Sequence, residues 1–284
     1  MSALDSLPSL KATIDAYGLS TRKALGQHFL LDANIVRRIT SYAGDVKGCT
    51  LIEIGPGPGG LTRALLESEA AHVVVIEKDE RCIPIMRDLQ EKVGDRLKVI
   101  VEDALKIDVT QFPAPRKIVA NLPYNVGTEL LLKWLADIAN DPTTYQSMTL
   151  MFQKEVAERI TADHGSKTYG RLSVYAQWLC DVRYDMELPP GAFSPPPKVS
   201  SAVITLIPRT KPLFDVKKET LEKILAKAFG QRRKMLRGAL KGLVEDVEGL
   251  LNEAGIDPTL RAEQVDIVSF GKICKTYEKQ NVKK

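Results

Sequence analysis

The sequence of 284 residues lacks the features that mark several classes of protein. It has no run of about eighteen apolar residues, the length that a membrane-spanning helix needs, so no membrane association is expected. Its four cysteines lie far apart and form no C-x-x-C pair, which predicts neither a metal site nor a disulfide framework. With a formal net charge of only +4, the chain is not a histone-like polycation.

The first twenty residues also lack the features of a targeting segment. They contain no apolar core of a secretory signal. They carry Asp5 and Asp15 but no Arg, unlike a mitochondrial presequence, which is rich in Arg and poor in acidic residues. Together with the scattered cysteines, this segment favours a cytoplasmic protein.

Short apolar runs alternate with segments of helical period from residue 50 to residue 207. The predicted strands are Thr50–Ile54, Val73–Ile76, Leu97–Val101, Lys117–Asn121, Ser147–Phe152, Asp181–Leu188 and Ser201–Ile207. The predicted helices between them are Leu61–Glu67, Glu80–Glu91, Thr128–Ile138, Lys154–Ile160 and Arg171–Cys180. This alternation predicts an α/β fold: a seven-stranded, mostly parallel, Rossmann-like sheet that is covered on both faces and carries an edge hairpin.

Three segments of different character are expected along the chain. A helix with Asp32 as its N-cap precedes the first strand. Beyond Phe214 the sequence holds only helical patterns, broken at glycine and proline. We therefore predict an N-terminal arm of residues 1–27, an α/β domain of residues 28–210 and a smaller all-helical domain of residues 211–284.

Charge is segregated within the predicted helical domain. Residues 217–242 hold nine basic residues against two acidic ones, whereas residues 243–266 hold seven acidic residues against Arg261 alone. Two solvated helix faces would explain this pattern, but the dense basic cluster at residues 231–237 favours an anion-binding surface. Its candidate residues are Arg232, Arg233, Lys234 and Arg237.

A glycine-rich turn after the first strand is the strongest local feature. The segment Leu51–Thr62 runs from a buried strand through Gly55 and Gly57 into a helix, as in a nucleotide-binding βα turn. Its spacing is G-x-G-x-G, and prolines at 56 and 58 remove two amide donors that a pyrophosphate would use. The turn therefore favours a nucleoside ligand without phosphates over a nicotinamide dinucleotide.

Acidic residues end the next two strands. Glu77 lies where a carboxylate can accept both ribose hydroxyls, and Asp103 lies where one can accept from an adenine amino group. For Glu77, an N-cap of the following helix is the competing interpretation. Because the ends of parallel strands meet at one edge of the sheet, the combined pattern points to S-adenosylmethionine.

The segment Asn121-Leu122-Pro123-Tyr124 follows the fourth strand. The Asn side chain and the backbone carbonyls of Leu122 and Pro123 can accept the two hydrogens of an exocyclic amine, and Tyr124 offers a π-face to a base. Adenine N6 is a poor nucleophile because its lone pair is delocalised. Acceptors that draw the amine toward tetrahedral geometry localise that lone pair, so orientation and electrostatics suffice without a strong base. A simple turn is the competing interpretation.

A proline-rich loop carries a second aromatic candidate. Three consecutive prolines between Gly191 and Ser200 hold the chain extended. In this loop, Phe193 is expected to form the other face of a base sandwich, unless it simply belongs to the core.

Together, these motifs resemble those of the small-subunit ribosomal RNA adenine dimethyltransferases. The similarity extends from about Arg22 to the C-terminal helices. The matching segments are Lys23–Asp32, Glu53–Gly57, Ile76–Glu77, Glu102–Ala104, Asn121–Tyr124, Phe193–Pro195, Pro197–Val199 and Ala228–Arg237. The resemblance implies the class I S-adenosylmethionine-dependent methyltransferase fold with a helical C-terminal RNA-binding domain.

The same resemblance implies roles for single residues. His28 and Leu30 close over the methionine end of the cofactor, and Gly55 lies beneath it. Glu77 holds the ribose and Asp103 the adenine, while Asn121 touches both cofactor and target amine. The implied cofactor-binding set is His28, Leu30, Gly55, Gly57, Glu77, Lys78, Asp103, Ala104 and Asn121.

The implied activity is methyl transfer to N6 of two adjacent adenosines near the 3′ end of 16S rRNA in the small ribosomal subunit. S-adenosyl-L-homocysteine is the expected by-product and a monomer the expected state. A 23S rRNA methyltransferase of the macrolide-resistance type ranks second, because the segment at residues 231–237 resembles the small-subunit group. A mitochondrial relative that doubles as a transcription factor ranks third. A non-catalytic ribosome-assembly factor is the alternative from another class, and a nicotinamide dehydrogenase is disfavoured.

Overall fold

The computed structural model describes residue 4 and the ranges 6–19 and 28–281. By its internal contacts the chain divides into two compact units. The first comprises Met1–Ala157 and Arg183–Pro208, and the second comprises Glu158–Val182 and Arg209–Lys284. Residues 23–27 of the N-terminal motif lie outside the described residues.

Nine strands occur in the described part of the chain. They are β1 (Phe29–Leu30), β2 (Thr50–Ile54), β3 (His72–Glu77), β4 (Leu97–Val101), β5 (Arg116–Asn121), β6 (Ser147–Gln153), β7 (Cys180–Leu188), β8 (Phe193–Ser194) and β9 (Ser201–Pro208). Seven of them form one sheet in the order β4-β3-β2-β5-β6-β9-β7, and β1 pairs with β8. Every one of the seven predicted strands is present, with its ends within one residue of the prediction.

Strand direction in the large sheet follows the prediction of a mostly parallel sheet. The strands from β4 to β6 pair in parallel, and β9 runs antiparallel to β6. All five residues of β2 are buried, as expected for a parallel strand covered on both faces. In the antiparallel pair, Thr149 lies opposite Thr205 and Gln153 opposite Ser201.

Helices cover the sheet and make up most of the second unit. They are α1 (Leu10–Ala16), α2 (Ala33–Ser41), α3 (Gly60–Leu66), α4 (Ile83–Val93), α5 (Gly127–Asn140), α6 (Lys154–Thr161), α7 (Arg171–Leu179), α8 (Lys218–Gly230), α9 (Leu236–Ala239), α10 (Val247–Glu253) and α11 (Ile267–Asn281). Asp32 caps α2 as predicted, accepting from the N–H groups of Asn34 and Ile35 at 2.8 and 3.3 Å. Within the described ranges, no helix has the length and hydropathy to span a bilayer.

The second unit differs from the predicted helical domain because it also takes in residues 158–182. The predicted boundary near residue 210 lies close to the change of unit after Pro208. However, α7 packs with the C-terminal helices: Trp178 Nε1 donates to Phe214 O at 2.8 Å, and the two rings stack at 5.9 Å. A helix between two strands of the sheet therefore belongs to the other unit, which corrects the continuous domain of residues 28–210.

Candidate active site

A cleft opens in the first unit at the carboxyl ends of the parallel strands, where open α/β sheets usually bind ligands. The space between its walls and its open mouth is about 1000 Å³, with solvent at the mouth included. Twelve of the predicted site residues line it: His28, Leu30, Gly55, Gly57, Glu77, Lys78, Asp103, Ala104, Asn121, Leu122, Pro123 and Tyr124. The fold thus brings together motifs that are far apart in the sequence.

The loop between β2 and α3 requires glycine at two positions on the cleft wall. Gly55 and Gly57 have φ angles of 67° and 55°, a conformation that other residues adopt only at a cost. A Cβ at Gly57 would also lie 3.1 Å from Cε1 of Phe29. At these two positions the loop therefore presents backbone atoms, and no side chain, to the cleft.

Glu77 ends β3 with its carboxylate directed at this loop. Oε2 accepts from Gly57 N–H at 3.2 Å and Oε1 from Asp79 N–H at 2.8 Å. Burial raises the pKa of Glu77, and the two backbone hydrogen bonds oppose that rise. The carboxylate therefore fixes the glycine loop, in addition to the ribose contact that stays a prediction.

Asp103 and Lys78 form the neighbouring part of the wall. Lys78 Nζ lies 3.5 Å from Asp103 Oδ2, and Leu105 N–H donates to Asp103 Oδ1 at 3.0 Å. This backbone hydrogen bond, helped by the charge of Lys78, holds the pKa of Asp103 below its usual range. An ionised acceptor at this place suits an amino group of a base.

Lys133 of α5 is a residue of the site that the sequence prediction missed. Its ammonium donates to three carbonyls of the loop after β4, those of Ala104, Leu105 and Ile107, at 3.3, 2.8 and 2.5 Å. A lysine in a helical pattern indicates only a solvated face, so this role could not be predicted from the sequence. The three bonds hold the loop that carries Asp103.

We expect Lys133→Met to weaken S-adenosylmethionine binding by on the order of tenfold. The variant loses the charged hydrogen bonds that hold the loop of Asp103, so this loop is less well ordered for the ligand. Calorimetric titration measures the affinity. The matched control is Lys117→Met. Lys117 lies at the start of β5, and its Nζ also donates to two carbonyls, those of Ala43 and Asp45, at 2.7 and 2.6 Å. That variant should lose thermal stability and keep its affinity; equal affinities in both variants would contradict the role of Lys133.

Glu53 is a second residue to which the sequence prediction assigned no role. It lies in β2, lines the cleft and is 2% exposed. Thr62 Oγ1 donates to Glu53 Oε2 at 2.7 Å. Burial raises the pKa of Glu53 to about 8, against the effect of the Thr62 hydrogen bond. Burial therefore favours the protonated form of this carboxyl group in the folded chain.

This raised pKa predicts a pH-dependent difference between the parent and Glu53→Gln. An acid whose pKa is higher in the folded state favours folding fully below its unfolded pKa of about 4.3, and this contribution is lost as the pH rises to about 8. Glutamine does not ionise, so the variant should gain stability relative to the parent between pH 5 and pH 8, by up to about 1.4 kcal/mol per pH unit. Urea unfolding of both proteins across this range is the measurement; a constant difference would refute the prediction.

The segment Asn121–Tyr124 also lines the cleft. Asn121 Nδ2 donates to His28 O at 3.4 Å, which leaves Oδ1 to accept from another donor. Pro123 O accepts from the N–H groups of Val126 and Gly127 at 3.2 and 3.0 Å. These two bonds at the start of α5 compete with the predicted acceptance from the target amine by Pro123 O, which stays a prediction. Leu122 O is the other backbone candidate.

Tyr124 and His28 form an aromatic pair on this wall. Their ring centroids are 5.6 Å apart with a tilt of 31°. His28 Nδ1 lies 2.8 Å from Pro195 O, and Tyr124 Oη lies 2.5 Å from Ser201 Oγ. Both rings are therefore tied by polar bonds to the proline-rich loop or to the strand that follows it.

Phe193 does not occupy the place that the sequence predicted for it. The residue pairs with Leu30 in the small β1–β8 sheet, is 5% exposed and belongs to the apolar core of the first unit. It is not among the residues that line the cleft. In this structure the ring belongs to the core, as the competing interpretation expects. Stacking of Phe193 on a base stays a prediction.

The four predicted RNA-binding residues lie in the second unit and are exposed. Arg232 donates to Lys167 O at 2.6 Å, and Arg237 pairs with Glu248 at 3.4 Å. The side chains of Arg233 and Lys234 make no hydrogen bond or ion pair within the described ranges. Free cationic groups are thus available, and their partner stays a prediction.

Comparison with known proteins decides the family. A family model described as ribosomal RNA adenine dimethylase matches residues 18–279. The chain belongs to this family. The chain is similar to "Ribosomal RNA small subunit methyltransferase A" of Jannaschia sp., with 53% identity over 98% of this chain and 96% of the relative, and to the protein so named from Ruegeria sp., with 52% identity over 98% and 100%.

Solved structures agree with this assignment. The chain resembles a dimethyladenosine transferase from Plasmodium falciparum, with a TM-score of 0.74, 26% identity and coverage of 89% of this chain and 98% of that one. It also resembles the 23S rRNA methyltransferase ErmE, with a TM-score of 0.67, 26% identity and coverage of 88% and 99%. The predicted fold is confirmed: a class I S-adenosylmethionine-dependent methyltransferase with a helical C-terminal part. S-adenosylmethionine is the cofactor, and ribosomal RNA is the substrate of the family.

Proposed function

We propose that this protein transfers methyl groups from S-adenosylmethionine to N6 of two adjacent adenosines near the 3′ end of 16S rRNA, giving N6,N6-dimethyladenosines during small-subunit biogenesis. The observation that carries the proposal is the identity of 49–54% to proteins named for the small subunit, over 95–98% of this chain. The 23S rRNA methyltransferase ErmE is 26% identical to this chain. A cytoplasmic location, a monomeric state and the lack of a membrane partner are further predictions of this proposal.

The residues of the cleft fit S-adenosylmethionine. Glu77 and Asp103 provide carboxylates for hydroxyl and amino groups, and the glycine loop offers bare backbone. Prolines at 56 and 58 remove two N–H groups that phosphates would need. The bound cofactor supplies an electrophilic methyl group on sulfur.

The protein's own groups then act on the target base. Asn121 Oδ1 and Leu122 O accept the two N6 hydrogens, which localises the nitrogen lone pair, and Tyr124 stacks on the ring. With the cofactor bound, N6 would take the methyl group from its sulfur, and S-adenosyl-L-homocysteine would be released. The positive charge on N6 is lost with a proton to solvent. Preorganised acceptors thus supply the catalysis.

Transfer of labelled methyl groups to ribosomal subunits tests the proposal. Small subunits that lack the modification are compared with large subunits, and Asn121→Ala serves as the inactive control. We expect label in 16S rRNA, on the two adjacent adenosines. Label in 23S rRNA would instead support the resistance type, and binding to small subunits without transfer would support an assembly factor.

The basic cluster of the second unit should contribute to RNA binding through phosphate contacts. Replacing Arg232, Arg233, Lys234 and Arg237 by Gln should weaken binding and flatten its salt dependence, because each lost phosphate contact lowers the log–log slope by about 0.7–0.9. Filter binding at several salt concentrations measures the slope.

The control for this variant removes the same charge elsewhere. It replaces four exposed lysines outside the cluster by Gln, namely Lys47, Lys92, Lys272 and Lys275. If both quadruple variants change the slope equally, general charge explains the effect, and the cluster at residues 232–237 has no special part in seating the protein on RNA.

A further inference from the structure

The hydroxyl group of Tyr124 meets a serine that is completely buried. Tyr124 Oη and Ser201 Oγ are 2.5 Å apart, and Ser201 is 0% exposed. Ser201 is the first residue of β9, whereas Tyr124 lies in the turn after β5. The bond therefore joins a cleft residue to a strand that enters the sheet from the proline-rich loop, 77 positions later in the chain.

This bond restrains the ring of Tyr124. The aromatic ring turns about two torsions, and a hydrogen bond at its far end fixes its direction. Burial raises the pKa of Tyr124, so the phenol stays neutral and can donate to Ser201 at physiological pH. A stacking surface that is already ordered loses less conformational freedom when a base binds, which favours binding.

We propose that Ser201 is a positioning residue that holds the Tyr124 ring in the orientation in which it stacks on the target adenine. The proposal rests on the proposed function, in which Tyr124 receives that base. Ser201 itself touches neither substrate nor cofactor, because it does not line the cleft and acts through its bond to the Tyr124 hydroxyl.

A double-mutant cycle tests this role. Ser201→Ala and Tyr124→Phe should each lower kcat/KM for unmodified small subunits by about 3- to 10-fold, the fold-change that one hydrogen bond supports. The loss should lie in KM, with the affinity for S-adenosylmethionine unchanged. Because both variants remove one and the same bond, the double variant should lose no more than either single variant. Tyr124→Ala should lose more, up to about 150-fold, because it removes the stacking surface.

A matched control separates positioning from general loss of stability. Thr149 Oγ1 and Thr205 Oγ1 are buried and 3.2 Å apart, and they join β6 to β9, the strand that carries Ser201. Thr149 does not line the cleft. Thr149→Val removes this hydroxyl bond and should lower the thermal stability while it leaves KM at the parental value.

A measurement without RNA keeps the proposal separate from the proposed function. In protein labelled with 3-fluorotyrosine, the resonance of Tyr124 is identified by its loss in Tyr124→Phe. Ser201→Ala should sharpen this resonance as the ring gains freedom, and Thr149→Val should not. If the parent methylates no small subunits, the proposed function fails, and ring order still decides the role of Ser201.

Three results would overturn the positioning role. They are additive losses in the cycle, a KM increase in Thr149→Val equal to that in Ser201→Ala, and a Tyr124 resonance that Ser201→Ala leaves unchanged. Each would mean that the bond contributes to the sheet alone or that the ring is ordered by other contacts.

Discussion

Asn121→Ala should reduce the rate of methyl transfer to unmodified small subunits by about 10²–10³-fold, the usual cost of removing one preorganised polar group at a developing charge. In the proposed mechanism, the side-chain oxygen accepts one N6 hydrogen and so draws the nitrogen lone pair out of conjugation with the ring. Its direction is set because Nδ2 donates to His28 O. RNA binding should be retained, since no phosphate contact is removed.

Single-turnover methylation measures this effect without contributions from product release. The matched control is Asn125→Ala, because Asn125 is exposed, lies four residues further along and does not line the cleft. The affinity for S-adenosylmethionine should be measured in the same variants, because Asn121→Ala also removes the bond to His28 O, directly before β1. Turnover of Asn121→Ala at the parental rate would refute the amine-acceptor mechanism.

Glu77→Ala should weaken binding of S-adenosylmethionine by roughly 30- to 800-fold, which corresponds to about 2–4 kcal/mol for two lost hydrogen bonds to a charged group. The structure adds a second cause to the predicted ribose contact. The carboxylate also accepts from the N–H groups of Gly57 and Asp79, so its removal frees the glycine loop that is predicted to contact the cofactor.

Calorimetric titration and thermal unfolding together separate these two causes. Asp79→Asn is the control, because Asp79 is another buried carboxylate, two positions along, that pairs with Arg81 at 2.6 Å and does not line the cleft. It should lose stability and keep its cofactor affinity. Unchanged affinity in Glu77→Ala would eliminate the ribose assignment.

The sequence by itself determined the sheet and most of the wall of the cleft. Parallel strands are buried on both faces, so they appear as continuous apolar runs, and the ends of such strands must meet at one edge. For this reason Glu77, Asp103 and Asn121 could be placed together from their positions after three strands. The glycines at 55 and 57 were predictable because backbone conformations with positive φ leave few alternatives to glycine.

Tertiary structure alone decided how side chains reach across the fold. The two-residue strands β1 and β8 are too short to show a period, yet their pairing turns Phe193 into the core. Residues 158–182 join the second unit through the contacts of Trp178 with Phe214, which no local pattern expresses. Lys133 and Ser201 became parts of the site through bonds to residues at least 26 and 77 positions away. Local patterns report which face of a strand or helix is apolar, whereas the partner of a polar side chain depends on how distant elements pack against each other.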